Sequence, residues 1–150
     1  MSCTAGALTG TPSNSDVGNH AVVITATDLS GATAVDSFTI VVSNANDAPS
    51  VDSTAVTSAT EDALYSYTLT ASDADTGDTL SFSGTTVPDW LSFDENTGVL
   101  SGTPTNDDVG DHSVVLTVSD LAGETDTDEF TITVANTNDA PTIASTAVIS

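Results

Sequence analysis

Apolar and polar residues alternate along short stretches of this chain, and nowhere do apolar residues recur at helical spacing. Between residues 49 and 140 the alternation predicts strands near Ser50 to Thr57, Leu64 to Ala71, Thr79 to Ser83, Trp90 to Phe93, Gly98 to Ser101, His112 to Ser119 and Thr127 to Ala135. Glycine-containing turns separate them at short intervals: Thr76-Gly77-Asp78, Asn96-Thr97-Gly98, Val109-Gly110-Asp111 and Ala122-Gly123. Short strands that each bury every second residue, joined by such turns, predict an all-β, Greek-key β-sandwich.

The pattern also repeats. Leu8 to Ser58 matches Leu100 to Ser150 at an offset of about 92 residues, with about three positions in five identical. LTGTPSNSDVGNHAVVITATDLSG stands over LSGTPTNDDVGDHSVVLTVSDLAG, and DSFTIVVSNANDAPSV over DEFTITVANTNDAPTI. This register makes residues 1–48 the C-terminal half of one repeat, 49–140 a complete repeat and 141–150 the first strand of a third. The first segment lacks the half equivalent to residues 51–92, so its core face is expected to be open and its stability low unless another chain supplies the missing strands.

Charge changes the picture most. Asp and Glu total 22, Lys and Arg total 0, and the formal net charge is −22. No carboxylate can pair with Lys or Arg, so a compact body needs bound cations, high ionic strength or a cationic partner. Nucleic acid is excluded as a partner, because phosphate neutralisation requires basic residues. Membrane insertion by this segment is not expected, since no apolar run approaches the roughly 20 residues of a span. Cys3 is the only cysteine, which excludes an intrachain disulfide and a thiolate zinc site.

Several acidic residues fall in turns that a sandwich gathers at its ends. Asp73-Ala-Asp75-Thr-Gly77-Asp78 follows a predicted strand, and alternate carboxylates in such a turn can converge on a hard cation; Ca²⁺ takes about six to eight oxygens. The loop is not an EF-hand, because Gly77 stands where a ligand belongs and Gly84 where the closing Glu belongs. Solvated turn carboxylates are the competing reading. More specific is the repeated connection Asn44-Ala-Asn46-Asp47-Ala-Pro49 and Asn136-Thr-Asn138-Asp139-Ala-Pro141.

These connections resemble the cadherin linker Asp-x-Asn-Asp-Asn-Ala-Pro, shortened by one residue and with Asn for the first Asp. Glu61, Asp73-x-Asp75, Asp94 and Glu95 before Thr97-Gly98, and Asp120 before Gly123 follow in cadherin order. With ATEDALYSYTLTASDADTGDTLSFSG, VPDWLSF and LSGTPTNDDVG, the chain resembles the dystroglycan-type cadherin-like repeats and Ig-like domains of bacterial surface adhesins. That resemblance implies a cadherin-like sandwich, calcium at the junctions between repeats, and adhesion at the cell surface. Carried over, one junction would use Asn44, Asn46 and Asp47 with Asp73, Asp75 and Asp120. A second would use Glu61, Asp94 or Glu95, Asn136, Asn138 and Asp139. Each junction is incomplete within this chain, so weaker calcium binding than in a longer array is expected.

Other conspicuous residues read as structural. Trp90 is the only tryptophan; an exposed Trp could stack on a sugar, but one opening a sandwich strand is more often a core anchor. Tyr65 and Tyr67 share one strand face and read as packing. His20 and His112 occupy equivalent positions, and each repeat offers only one His, too few for a nitrogen-ligated metal. No Gly-x-Ser-x-Gly elbow is present, and paired carboxylates in so acidic a chain carry no information about hydrolysis. Catalysis is therefore not expected. The expected role is a calcium-binding, extracellular structural and adhesive repeat whose partners are neighbouring repeats, with a homophilic or a carbohydrate partner open. The alternative is a carbohydrate-binding accessory module of a secreted polysaccharide-active protein.

Overall fold

The computed structural model describes residues 2–4 and 6–144. Its strands are β1 (Ser2–Thr4), β2 (Ala7–Thr9), β3 (Gly18–Thr27), β4 (Thr33–Val42), β5 (Ser50–Val51), β6 (Ser58–Thr60), β7 (Tyr65–Thr68), β8 (Ala71–Ser72), β9 (Ser81–Thr86), β10 (Leu91–Asp94), β11 (Val99–Gly102), β12 (Gly110–Ser119) and β13 (Thr125–Ala135). Two 3-10 turns, Asn14–Asp16 and Asn106–Asp108, precede β3 and β12. The third-repeat strand expected over 141–150 falls largely on 145–150, outside the described residues.

From residue 50 onward the strands form an all-β sandwich. One sheet runs β6-β13-β12-β9 and the other β10-β11-β7, while β5 pairs with β8 beside them. All pairings are antiparallel except β6 with β13. The alternation seen in the sequence becomes burial: Val114, Leu116 and Val118 of β12 are wholly buried, as are Ile132 of β13 and Leu100 of β11. Tyr65, Tyr67, Leu69 and Leu91 complete the core, with Trp90, Phe93 and Phe130 packed against it.

The expected strand Ser50–Thr57 divides in two. Ser50 and Val51 pair with β8, whereas Ser58–Thr60 lies beside β13. Between them the chain changes partners, with Asp52 N–H and Ser53 N–H donating to Thr70 O at 2.8 and 3.3 Å. The expected strand Leu64–Ala71 breaks for a related reason. Leu69, 1% exposed, donates its N–H to Gly98 O at 2.8 Å, and Ala71 then leaves β11 for β5.

The first segment forms two hairpins, β1-β2 and β3-β4. Its inward strand positions are more exposed than their counterparts in β12: Ile24 is 39% exposed and its equivalent Leu116 is 0% exposed.

The two core tyrosines carry a pH expectation. Tyr65 Oη donates to Val56 O at 2.7 Å, and Tyr67 Oη donates to Asp128 Oδ2 at 2.6 Å. Burial above all pushes both phenols from 10.0 up to about 12, with the nearby Asp128 adding to the effect. Both pKa values are raised, so the stabilisation is complete below pH 10 and is lost as pH rises through about 12. Tyrosinate absorbance is thus expected to appear together with alkaline unfolding above pH 10; phenol titration in a chain that remains folded would contradict this assignment.

Candidate metal centre

The hairpin β12-β13 sets the frame for two carboxylate groups. Its pairing runs from Gly110 opposite Val134 to Ser119 opposite Thr125, and one group lies beyond each end.

At the Ser119 end, the loop after β8 folds on itself. Asp75 N–H donates to Asp73 Oδ1 at 2.8 Å, Asp78 N–H donates to Asp75 O at 3.2 Å, and Gly77 takes φ 95°. The positive φ favours glycine. Asp73, Asp75 and Asp78 each bring one oxygen within 4.8 Å of the others. Asp75 is only 7% exposed, and its Oδ1 and Asp73 Oδ2 are buried without a hydrogen-bond partner. Burial, then the negative charges of Asp73, Asp120 and Asp75, push the Asp78 carboxyl above its ordinary value.

The segment leaving β4 reaches into this group. Asp47 N–H donates to Asp75 Oδ2 at 2.8 Å, and Asn46 Nδ2 donates to Asp120 Oδ2 at 2.7 Å and to Glu124 Oε2 at 3.0 Å. Asp120, 7% exposed, also accepts from Gly123 N–H and Glu124 N–H through Oδ1. The Asn46 amide leads the hydrogen bonds that hold the Asp120 carboxyl below its usual value.

At the other end Glu61 follows β6 and is 2% exposed. Its Oε2 accepts from Thr137 N–H at 3.0 Å, while Oε1 is buried without a partner. Asp62, at φ 63°, donates its N–H to Pro104 O at 2.9 Å. Oxygens of Glu61, Asp62 and Asp139 lie within 4.8 Å of one another.

A buried, unpartnered carboxylate oxygen is costly, and the chain has no Lys or Arg to offset it. The donors are all oxygens, supplied by clustered carboxylates and neighbouring amides. Both groups are therefore compatible with a hard divalent ion such as Ca²⁺.

Of the residues expected at the first junction, Asn46, Asp47, Asp73, Asp75 and Asp120 converge, whereas Asn44 is exposed on the incoming segment. At the second, Glu61 and Asp139 meet; Asn136 and Asn138 lie on the same segment, donating to Thr137 O and Asp139 O. Asp94 belongs to neither group. Its Oδ1 accepts from Asn96 N–H at 2.9 Å and its carbonyl from Thr97 and Gly98 N–H, so it closes its own turn. Asp78, Asp62 and Glu124 were not anticipated. Asp78 stands in the turn already noticed, and Asp62 adjoins Glu61; Glu124 carries no local signal, since only its approach to Asn46 brings it in.

The family model described as Putative Ig domain (He_PIG) matches residues 1–43 and 48–135. The chain belongs to that family. As a Putative Ig domain protein it carries two matched segments, and the unmatched residues 44–47 between them include Asn44, Asn46 and Asp47. Among solved structures it is similar to extracellular cadherin domains 1–5 of protocadherin gamma B2, with TM-score 0.62 and 20% identity, covering 84% of this chain and 27% of that one. It is also similar to cadherin domains 1–4 of protocadherin gamma B7, with TM-score 0.61 and 21% identity, covering 84% and 34%. An endo-fucoidan hydrolase from glycoside hydrolase family 107 matches with TM-score 0.53 and 28% identity, over 86% of this chain and 20% of that one. The protocadherin likeness shows a shared cadherin/Ig-like fold. The chain spans only between 20% and 34% of these structures' lengths. No curated protein matches it. Among the described residues no helix is long and apolar enough to cross a membrane.

Proposed function

We propose that this chain is a calcium-binding, non-catalytic repeat of a larger extracellular or bacterial cell-surface protein, where it serves as a structural and adhesive spacer. The supporting observation is the pair of buried carboxylates, Asp75 and Glu61, each with an unpartnered oxygen and each held against an Asn-Asp segment that connects repeats. Asp73, Asp75, Asp78 and Asp120, with Asn46, would hold one ion. Glu61, Asp62 and Asp139, with Asn136 and Asn138, would hold another. Calcium would replace mutual repulsion at the junction with attachment, making the array flexible when ion-free and stiff when loaded.

Calorimetric titration of the whole chain with calcium, in a background of NaCl, tests this reading. Two classes of site are expected, with Asp75→Asn weakening one and Glu61→Gln the other by tenfold or more, on the order of 1.4 kcal/mol each. No calcium heat above that of the double variant would end the proposal.

The likeness to part of a fucoidan hydrolase favours a second setting, an accessory repeat of a polysaccharide-active protein. A sugar platform at Trp90 is disfavoured, because the indole packs edge-on against Tyr65 and His112 with ring centroids 5.8 Å apart in both cases. Binding of a soluble polysaccharide accompanied by a change in Trp90 fluorescence would restore that alternative.

A further inference from the structure

The two 3-10 turns do something in common that the calcium reading does not require. In each, an asparagine reaches 33 residues along the chain to an aspartate of the connecting segment: Asn14 Nδ2 donates to Asp47 Oδ2, and Asn106 Nδ2 donates to Asp139 Oδ2, both at 2.6 Å. The turn that carries Asn106 is firmly built. Thr105 N–H and Oγ1 both contact Asp108 Oδ2 at 2.8 Å, and Asp108 N–H returns to Thr105 O at 2.9 Å, a reciprocal cap that fixes the turn. Pro104 before it is buried and accepts the Asp62 N–H at 2.9 Å. His112 Nε2, 2.6 Å from Asp108 O, fastens the turn's far side. The first turn repeats the arrangement with Ser13, Asp16 and His20.

One rigid element therefore holds two members of the Glu61, Asp62, Asp139 group: Asp62 through its backbone and Asp139 through its carboxylate. Glu61, the third member, has its Oε1 buried and unpartnered. In the other copy Asp47 is held twice, by Asn14 through its carboxylate and by Asp75 through its N–H. The contact sequence Asn14, Asp47, Asp75 thus runs from one repeat through the connection into the next.

We propose that Asn106 and Asn14 are positioning residues that clamp the outgoing aspartates, Asp139 and Asp47, to the repeat they leave. Each amide spends one donor on one carboxylate oxygen and leaves the other oxygen free for a cation. This orients the ligand before the ion arrives and fixes where the connecting segment departs. The asparagine touches no ion itself. The part concerning affinity rests on the calcium reading; the clamp itself is a hydrogen bond of the ion-free protein.

The test uses the whole chain and two readouts. In EDTA, amide hydrogen exchange is measured over residues 136–140 and 44–48. Asn106→Ala should speed exchange in the first stretch only, and Asn14→Ala in the second only, with unfolding of the β12-β13 core unaffected. Exchange unchanged in both stretches would overturn the clamp. Calcium titration supplies the second readout. Asn106→Ala should weaken the Glu61 site about tenfold, in the range found for residues that orient metal ligands, yet cost nothing further once Asp139→Ala is present. Additive losses in that double variant would show that Asn106 does not act through Asp139. If the parent chain binds no calcium, the calcium reading falls and the exchange measurement still decides the clamp.

Discussion

Replacing Leu116 by Ala is expected to lower the stability of the complete repeat by about 3–5 kcal/mol, while Ile24→Ala at the equivalent position of the first segment costs a small fraction of that. Leu116 is 0% exposed and lies in the core with Val114, Leu100 and Ile132. Truncation there removes the transfer free energy of the lost methyl and methylene groups and leaves a cavity. Ile24 is 39% exposed, so much of its side chain is already in water and its removal opens little space. For a unit of this size 1 kcal/mol corresponds to roughly 4–8 °C in melting midpoint, so Leu116→Ala should lower it by about 12–40 °C. Trp90 is the only tryptophan and packs against the core of the complete repeat, so its fluorescence reports that unit alone. Equal losses at the two positions would mean that the first segment is as well buried as the second in solution.

The pairing of these two residues also shows what was readable from the sequence. Alternation located β12 and β13, and a period of two leaves only one way to bury Val114, Leu116 and Val118 together. It could not show where a strand changes sheets. Residues 50 to 60 contain no Gly or Pro to mark a break, and the division between β5 and β6 comes from their pairing with β8 and β13, which is tertiary information. The acidic groups divide in the same way. The convergence of Asp73 and Asp75 was legible because their spacing within one turn brings the carboxylates together locally. Glu61 and Asp139 were legible through resemblance. Asp94, equally acidic and equally near a glycine, accepts from Asn96 N–H within its own turn, and a carboxylate that caps a turn has the same local sequence as one aimed at an ion. The asparagines at 14 and 106 were hidden for the opposite reason: a turn-forming Asn needs no further explanation until its partner, 33 residues away, is seen.

Calcium should raise the thermal midpoint of the chain far more than NaCl at the same ionic strength, by about 10–20 °C for one site at a hundredfold excess over its dissociation constant. A ligand bound only to the folded state contributes about 2.7 kcal/mol under that condition, which the scaling above converts to degrees. NaCl acts differently. At 0.1 M it screens charges over a Debye length of about 10 Å, relieving the diffuse repulsion of a −22 chain. The grouped oxygens of Asp73, Asp75 and Asp78 lie within 4.8 Å of one another, inside that length, so a diffuse atmosphere leaves most of their repulsion in place. The elevated Asp78 pKa gives the sign of the pH dependence. A group whose folded pKa is raised contributes stability below its unfolded value and loses it as pH rises through the folded one. The ion-free repeat therefore carries the full repulsion at neutral pH, where calcium has most to relieve. The calcium increment should shrink as the solution is acidified towards the raised pKa of Asp78, because protons then compete for the same oxygens. Asp78→Asn should raise the midpoint in EDTA and reduce the increment. Equal midpoints in calcium and in matched NaCl would assign the stabilisation to screening alone, and the buried oxygens of Asp75 and Glu61 would then need water rather than an ion as their partner.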